Sequence, residues 1–465
     1  MKPKTSSKTY SLKSGRMSAG IRSLKASDPE LFGYISDELG RQRSTISLIA
    51  AENIISEAVL EATGNILTNK SSEGYPGRRY HSGTLFIDKI ESLAIKRAKA
   101  LFDVPHANVQ PLGGSVANFE VYLALCKPGD TIMGQSLIDG GHLSHGWHAT
   151  AAAQIYKSAQ YHVKRNGYID IEEARRLAVK NRPTVIWIGS SAYSRKLPFK
   201  EFSSIADKVG AYLVADIAHV AGLIAGGVHE SPVEYAHIIT TTTHKTLRGV
   251  RGAIIMATRK GLGKDPMLSK KIDKAVFPGL QSATHNDMTA GIAATLHEAS
   301  KPEFRKYARQ VVENAKTLSH ALINYGINIV TGGTDNHMMI MDLRNIRPGM
   351  GVFVEEALEM IGITTNRNAV PGDSSTPFYP SGLRLGTSAV TARGMKDEEM
   401  RHIARIIRDT VQLIRKYRLP EEPKERAAYL SEFRAGVIKD AKILNLRSEV
   451  SLIADKFPIY QDMKL

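Results

Sequence analysis

Between residues 107 and 260, short β-rich runs alternate with helical or loop stretches, and no other feature restricts the fold of this chain as much. The runs cover residues 107–111, 131–136, 184–190, 211–215, 238–243 and 252–257. Several are apolar almost throughout, as strands covered on both faces must be. The alternation predicts an α/β domain with a mainly parallel sheet. From Pro302 the pattern changes. An amphipathic helix over 303–325 precedes strand-like runs at 327–331 and 337–343, a helix over 351–361, a strand at 383–386 and a helix over 396–416. These predict a small α+β domain whose strands pair in one sheet. Upstream, Asp28-Pro29 has the form of a capped helix start, with the helix running to about Arg43. Leu419-Pro420-Glu421-Glu422-Pro423 is polar and proline-bearing and is expected to link the small domain to a helical tail. The expected organisation is a basic, flexible tail (1–27), an N-terminal arm with a large domain (28–300), and a small domain with its tail (301–465).

Hydrophobic residues make up 42% of the chain and charged residues 23%, an ordinary globular balance. No apolar run is long enough to span a bilayer, so a soluble protein without a membrane partner is expected. Cys126 is the single cysteine, which suits a reducing, cytoplasmic setting. Residues 1–27 have no acid and carry Lys2, Lys4, Lys8, Lys13, Arg16, Arg22 and Lys25. Without an apolar core this stretch reads as a frayed basic tail or an organelle transit peptide, not a secretory signal. Net charge is +16. Zinc-finger spacing, RNA-binding aromatics and long basic blocks are all lacking, so small anionic ligands, not nucleic acid, are the expected beneficiaries of that charge.

Three features carry chemistry. Leu112-Gly113-Gly114-Ser115 follows a strand and opens a helix, a turn that can turn backbone N–H groups toward an anion or be a plain tight turn. Asp216-Ile217-Ala218-His219 ends a strand, where α/β folds bind ligands; the acid could pair with a protonated ring nitrogen or cap a helix. Thr243-His244-Lys245 ends another strand, and a lysine there can form a Schiff base if its surroundings lower its pKa. An acid and a lysine on nearby strand ends form a known arrangement for pyridoxal 5′-phosphate. His142, His145 and His148 have a spacing that suggests a metal site, but no metal is expected.

Motifs along nearly the whole chain make the case more specific. They are Leu48-Ile49-Ala50-Ala51-Glu52-Asn53, Glu73-Gly74-Tyr75-Pro76-Gly77-Arg78-Arg79-Tyr80, Gly140-Gly141-His142-Leu143-Ser144-His145-Gly146, Ser381-Gly382-Leu383-Arg384-Leu385-Gly386-Thr387 and the terminal Asp455-Lys456-Phe457-Pro458. In these the chain resembles the serine hydroxymethyltransferases, fold-type I pyridoxal phosphate enzymes with a large α/β domain and a small C-terminal α+β domain. The resemblance implies that Lys245 holds the cofactor covalently, with His244 beside it. It implies that Asp216 bonds the ring nitrogen with His219 behind it, and that His142 stacks on the ring. Gly114 and Ser115 would bind the phosphate, Ser191 the ring oxygen, and Arg384 the substrate carboxylate. Glu73 would be the acid–base group, and Glu73, Tyr80, Leu137, Gly141, Leu143 and Asn368 the folate contacts. A homodimer or tetramer is implied, with Glu73, Tyr80 and the Ser282 loop acting across an interface.

Departures from the family pattern cluster at the expected substrate site. Ala51 stands for a serine, Ser71 for a tyrosine, His81 for the second tyrosine of a pair, and Ser282-Ala283 for two glycines. A roomier site could admit 2-methylserine as well as serine, since one methyl is worth only about 1–3 kcal/mol of discrimination. Hydroxymethyl transfer to tetrahydrofolate is the leading expectation. A folate-independent threonine aldolase or transaldolase and an inactive binding protein are the alternatives.

Overall fold

The computed structural model describes residues 18–463 other than Pro377 and Asp462. A seven-stranded sheet forms the larger layer, in the spatial order His106–Asn108, Ala253–Ala257, Ile238–Thr242, Tyr212–Asp216, Val185–Ile188, Thr131–Gln135 and Lys157–Tyr161. From Ile238–Thr242 to Lys157–Tyr161 all neighbours are parallel, whereas Ala253–Ala257 is antiparallel to both of its neighbours. All six expected runs form strands. The seventh, Lys157–Tyr161, is an edge strand whose polar, half-exposed Lys-Ser-Ala-Gln-Tyr carries no apolar run. Val185–Ile188 and Ala253–Ala257 are buried at every position, because helices cover both faces of the sheet. One face packs with Phe199, Phe202, Ile205 and Leu213, and the other with Tyr122, Trp187, Leu268 and Ile272.

The second sheet has four antiparallel strands in the order Asn328–Ile329, Met338–Asp342, Gly382–Gly386, Asn366–Asn368. Helices Pro302–Asn324 and Asp397–Ile414 cover it, the latter burying Met400, Ile403, Ala404, Ile407, Val411 and Ile414 along one stripe. One expectation changes here. The segment 419–423 is not a tether: Leu419 packs on the second core, and Arg426 donates to the carbonyls of Pro420 and Glu421. Helices Arg426–Val437 and Ala441–Lys456 then bury Leu430, Phe433, Ile443 and Val450 in that same core.

The N-terminal arm also differs from its expected grouping with the large sheet. Asp28 caps the helix Pro29–Ser44, accepting from the Leu31 N–H at 3.0 Å. The strand Ile46–Ser47 then pairs with Ile363–Thr364, and Ile46 and Leu48 enter the second core, since only there are their apolar side chains covered. Of the basic stretch 1–27, residues 1–17 lie outside the described residues, and Ser18–Ser27 is helical. No helix among the described residues is long and apolar enough to cross a membrane.

Candidate active site

The loops at the carboxyl ends of the parallel strands converge, as the topology requires of a ligand site in an α/β sheet. Asp216 closes the strand Tyr212–Asp216. Its Oδ2 accepts from Asn118 Nδ2 at 2.9 Å and lies 3.1 Å from His145 Nε2, while Oδ1 accepts from the Ala218 N–H at 3.0 Å. Asn118 is oriented in turn by the Thr240 hydroxyl at 2.8 Å. Burial opposes ionisation of Asp216, but the His145 hydrogen bond and the charges of His145, His142 and Lys245 outweigh it and hold the carboxyl below its usual value. His145 stacks on Trp187, with centroids 4.7 Å apart and planes 10° apart, which fixes the ring that grips Asp216.

His219 makes no hydrogen bond to Asp216 among the described residues. Its Nδ1 lies 3.4 Å from His337 Nε2, in a stacked pair that joins the large sheet to the strand region of Arg384. Burial pushes the His337 imidazole down to about 3. Of the groups that do support Asp216, His145 was read from the sequence only as part of a metal-like histidine spacing, and Asn118 not at all. His145 carried a signal in its motif with His142, whereas Asn118 carried none.

His142 follows Gly140-Gly141. A Cβ at Gly141 would lie 2.1 Å from the Gln135 carbonyl oxygen, so only glycine lets the backbone pass the end of the strand Thr131–Gln135. The His142 ring is held through Nδ1 by Ser144 Oγ at 2.6 Å, and burial lowers it to about 4. Nitrogen or oxygen atoms of His142, His145 and Asp216 come within 4.8 Å of one another, so among the described residues the cluster of potential metal ligands includes Asp216 and not His148. His145 and Asn118 already occupy the Asp216 oxygen that a cation would need.

Lys245 is only 8% exposed, and no acid forms an ion pair with it among the described residues. Burial, reinforced by Arg384 and opposed by Asp216, lowers its amine to about 8. Beside it, burial pushes His244 down to about 3, and His244 Nδ1 and Thr242 Oγ1 are buried without partners among the described residues. Arg384 lies on Gly382–Gly386, with Nε donating to Asn366 Oδ1 at 3.0 Å and Nη1 to the Ser191 carbonyl. Burial lowers it to about 10, and no carboxylate pairs with it among the described residues. A purely structural ion pair therefore does not account for this arginine.

At the turn before Gly114–Leu125, Gly113 has open space where a side chain would project, and the Ser115 hydroxyl has no partner among the described residues. At Gly114 a Cβ would come 2.8 Å from Thr242 Cγ2, so any larger residue would push Thr242 aside. The donor set fits the cofactor expected from the sequence: an unpaired buried lysine, a carboxylate held ionised, and a free helix N-terminus for a phosphate. Ala51 and His244 border an open cleft of about 520 Å³ that also reaches Arg251 and Arg393. Asn368 lines a small cavity with Ile138 and Gly140, the chain neighbours of Leu137 and Gly141, and Leu143 opens the short turn after His142.

A second group makes no hydrogen bond to these residues. Glu73 accepts from Ser282 Oγ, the Tyr80 ring is 79% exposed and 5.7 Å from Phe277, Ser71 is exposed, and the buried Nδ1 of His81 has no partner among the described residues. None of these side chains bonds Lys245, Asp216, His142 or Arg384 of the same chain among the described residues.

Comparison with known proteins agrees with this geometry. A family model described as Serine hydroxymethyltransferase matches residues 24–407. A serine hydroxymethyltransferase of Acidothermus cellulolyticus is 54% identical over 83% of this chain and 88% of its own. Those of Desulfotalea psychrophila and a Wolbachia of Drosophila simulans are 52% and 51% identical, covering 82% and 84% of this chain and 88% and 90% of theirs. The chain therefore belongs to the serine hydroxymethyltransferase family, fold-type I enzymes that use pyridoxal phosphate as cofactor and tetrahydrofolate as co-substrate in hydroxymethyl transfer between serine and glycine.

Proposed function

We propose that this enzyme takes serine and also its α-methyl homologue, 2-methylserine, passing the hydroxymethyl carbon to tetrahydrofolate and leaving glycine or D-alanine. One observation carries the reading: the buried Lys245 and the half-buried Arg384 are cations that no acidic side chain neutralises by an ion pair among the described residues. An unpaired buried charge is costly, and an anionic ligand relieves that cost. Arg384, oriented by Asn366 and the Ser191 carbonyl, is ready to take an amino-acid carboxylate. The small side chains of Ala51 and Ser71 support room for the extra methyl group.

Lys245 would hold pyridoxal phosphate, with Asp216 at its ring nitrogen, His142 on its ring face, Ser191 at its ring oxygen and Gly114 with Ser115 at its phosphate; His219 and His244 would border it. When bound, that group supplies an electron sink for the carbon–carbon bond being broken. Glu73 would hold or move the proton at the substrate hydroxyl. The lack of any hydrogen bond from Glu73, Tyr80 or Ser282 to Lys245 among the described residues, together with the exposed Ile66, Tyr80, Leu85 and Phe86, supports a homo-oligomer in which one copy lends these residues to another's site. Leu137, Gly141, Leu143 and Asn368 would meet the folate.

Titration of the cofactor-loaded protein with glycine and with D-alanine, each with and without tetrahydrofolate, tests the reading by absorbance. A long-wavelength band that grows with folate for both amino acids is the expected result. A response to glycine alone would remove 2-methylserine. Indifference to folate would favour the threonine aldolase or transaldolase reading.

A further inference from the structure

We propose that Ser282 is a positioning residue that fixes which oxygen of Glu73 does the proton chemistry. The proposal rests on the reading of Glu73 as the acid–base group. Ser282 Oγ donates to Glu73 Oε1, and this is the only side-chain hydrogen bond to the Glu73 carboxylate among the described residues. Oε2 has no partner among them and is left as the working oxygen.

The two residues lie on loops 209 positions apart, and each loop is tied down on both sides of the contact. On the Glu73 side, the Arg79 guanidinium donates to the carbonyls of Ser72 at 2.9 Å and Gly74 at 2.7 Å while paired with Asp88 and the buried Glu91. On the Ser282 side, the Gln281 amide accepts from the Leu112 N–H at 2.9 Å and donates to the Gln110 carbonyl at 3.0 Å. The loops are also bolted to each other, because Ser72 Oγ donates to Asn286 Oδ1 at 2.5 Å and Asn286 Nδ2 donates to the Lys70 carbonyl.

These bonds hold the two backbones but leave the three rotatable bonds of the glutamate free. The Ser282 hydroxyl is the one side-chain hydrogen-bond donor that stops them. A glycine or alanine at this position would keep the loop path and lose that restraint. The family-pattern glycines noted above could supply no such donor.

Kinetics of the holoenzyme with serine and tetrahydrofolate test the proposal in a double-mutant cycle. Ser282→Ala is expected to lower kcat about ten-fold, the effect of losing one hydrogen bond to a charged group. The KM for serine should be unchanged, because the bond orients a proton-transfer group and does not bind substrate. Ser282→Thr, which keeps the hydroxyl, should restore kcat. In the Glu73→Gln background, Ser282→Ala should have no further effect. An equal loss in both backgrounds, or full activity of Ser282→Ala in the wild-type background, would overturn the proposal while leaving the role of Glu73 standing. Full activity of Glu73→Gln alone would remove that role, and the proposal with it.

Discussion

Lys245 places an amine in the interior beside a held carboxylate yet leaves it without an ion pair. Burial is the main reason its value falls from 10.5 to about 8. An amine attacks an aldehyde only when neutral, so the neutral fraction sets the rate of covalent capture of pyridoxal phosphate by the cofactor-free protein. That fraction rises with pH through the lowered value. The capture rate, followed by visible absorbance, should therefore reach half its maximum near pH 8 and level off above it. A rate still climbing toward pH 10.5 would show an amine as solvated as a surface lysine. The acid and the lysine were legible in the sequence because each follows a β-rich run, and strand ends are where α/β sheets bind ligands. What grips Asp216 was not legible: Asn118 lies 98 positions away and His145 lies 71, and only the packed sheet brings them together. His219, three residues from Asp216 in sequence, turns instead toward His337.

At the level of elements, legibility followed burial. Strands covered on both faces announced themselves by continuous apolar runs, whereas Lys157–Tyr161, at the sheet edge, and the three-residue Asn366–Asn368 had no periodicity to read. The C-terminal helices were visible as helices, but their place in the second core was not, because the proline-bearing segment before them has the composition of a linker. Phe433 makes that place testable. It is 1% exposed, with its ring 4.9 Å from Phe353 and 4.7 Å from Tyr417. Phe433→Ala should cost about 3–5 kcal/mol of stability, measured by denaturant unfolding, as for other buried aromatic truncations. A cost near zero would mean that the tail is only appended to the surface.

For the molecule as a whole, the lending of Glu73 to another copy's Lys245 is best tested by mixing subunits. Lys245→Ala and Glu73→Gln chains should each turn over at only a small residual fraction of the wild-type rate as homo-oligomers. Co-assembled in equal amounts, they should recover about a quarter of the wild-type rate, since half of the random dimers hold one site with both groups intact. No recovery would mean that Glu73 serves its own chain. The pairing of Ile46–Ser47 with Ile363–Thr364 bears on how such a chain is made. On the ribosome, Ile46 and Leu48 emerge early, and the whole seven-stranded sheet can follow before their partner strand exists. An apolar segment that leaves the exit tunnel ahead of the large sheet is thus covered only after that sheet is complete, and a nascent chain halted before residue 363 would carry it bare. Chaperones and proteases would meet the N-terminal arm of this protein as their natural handle on an unfinished copy.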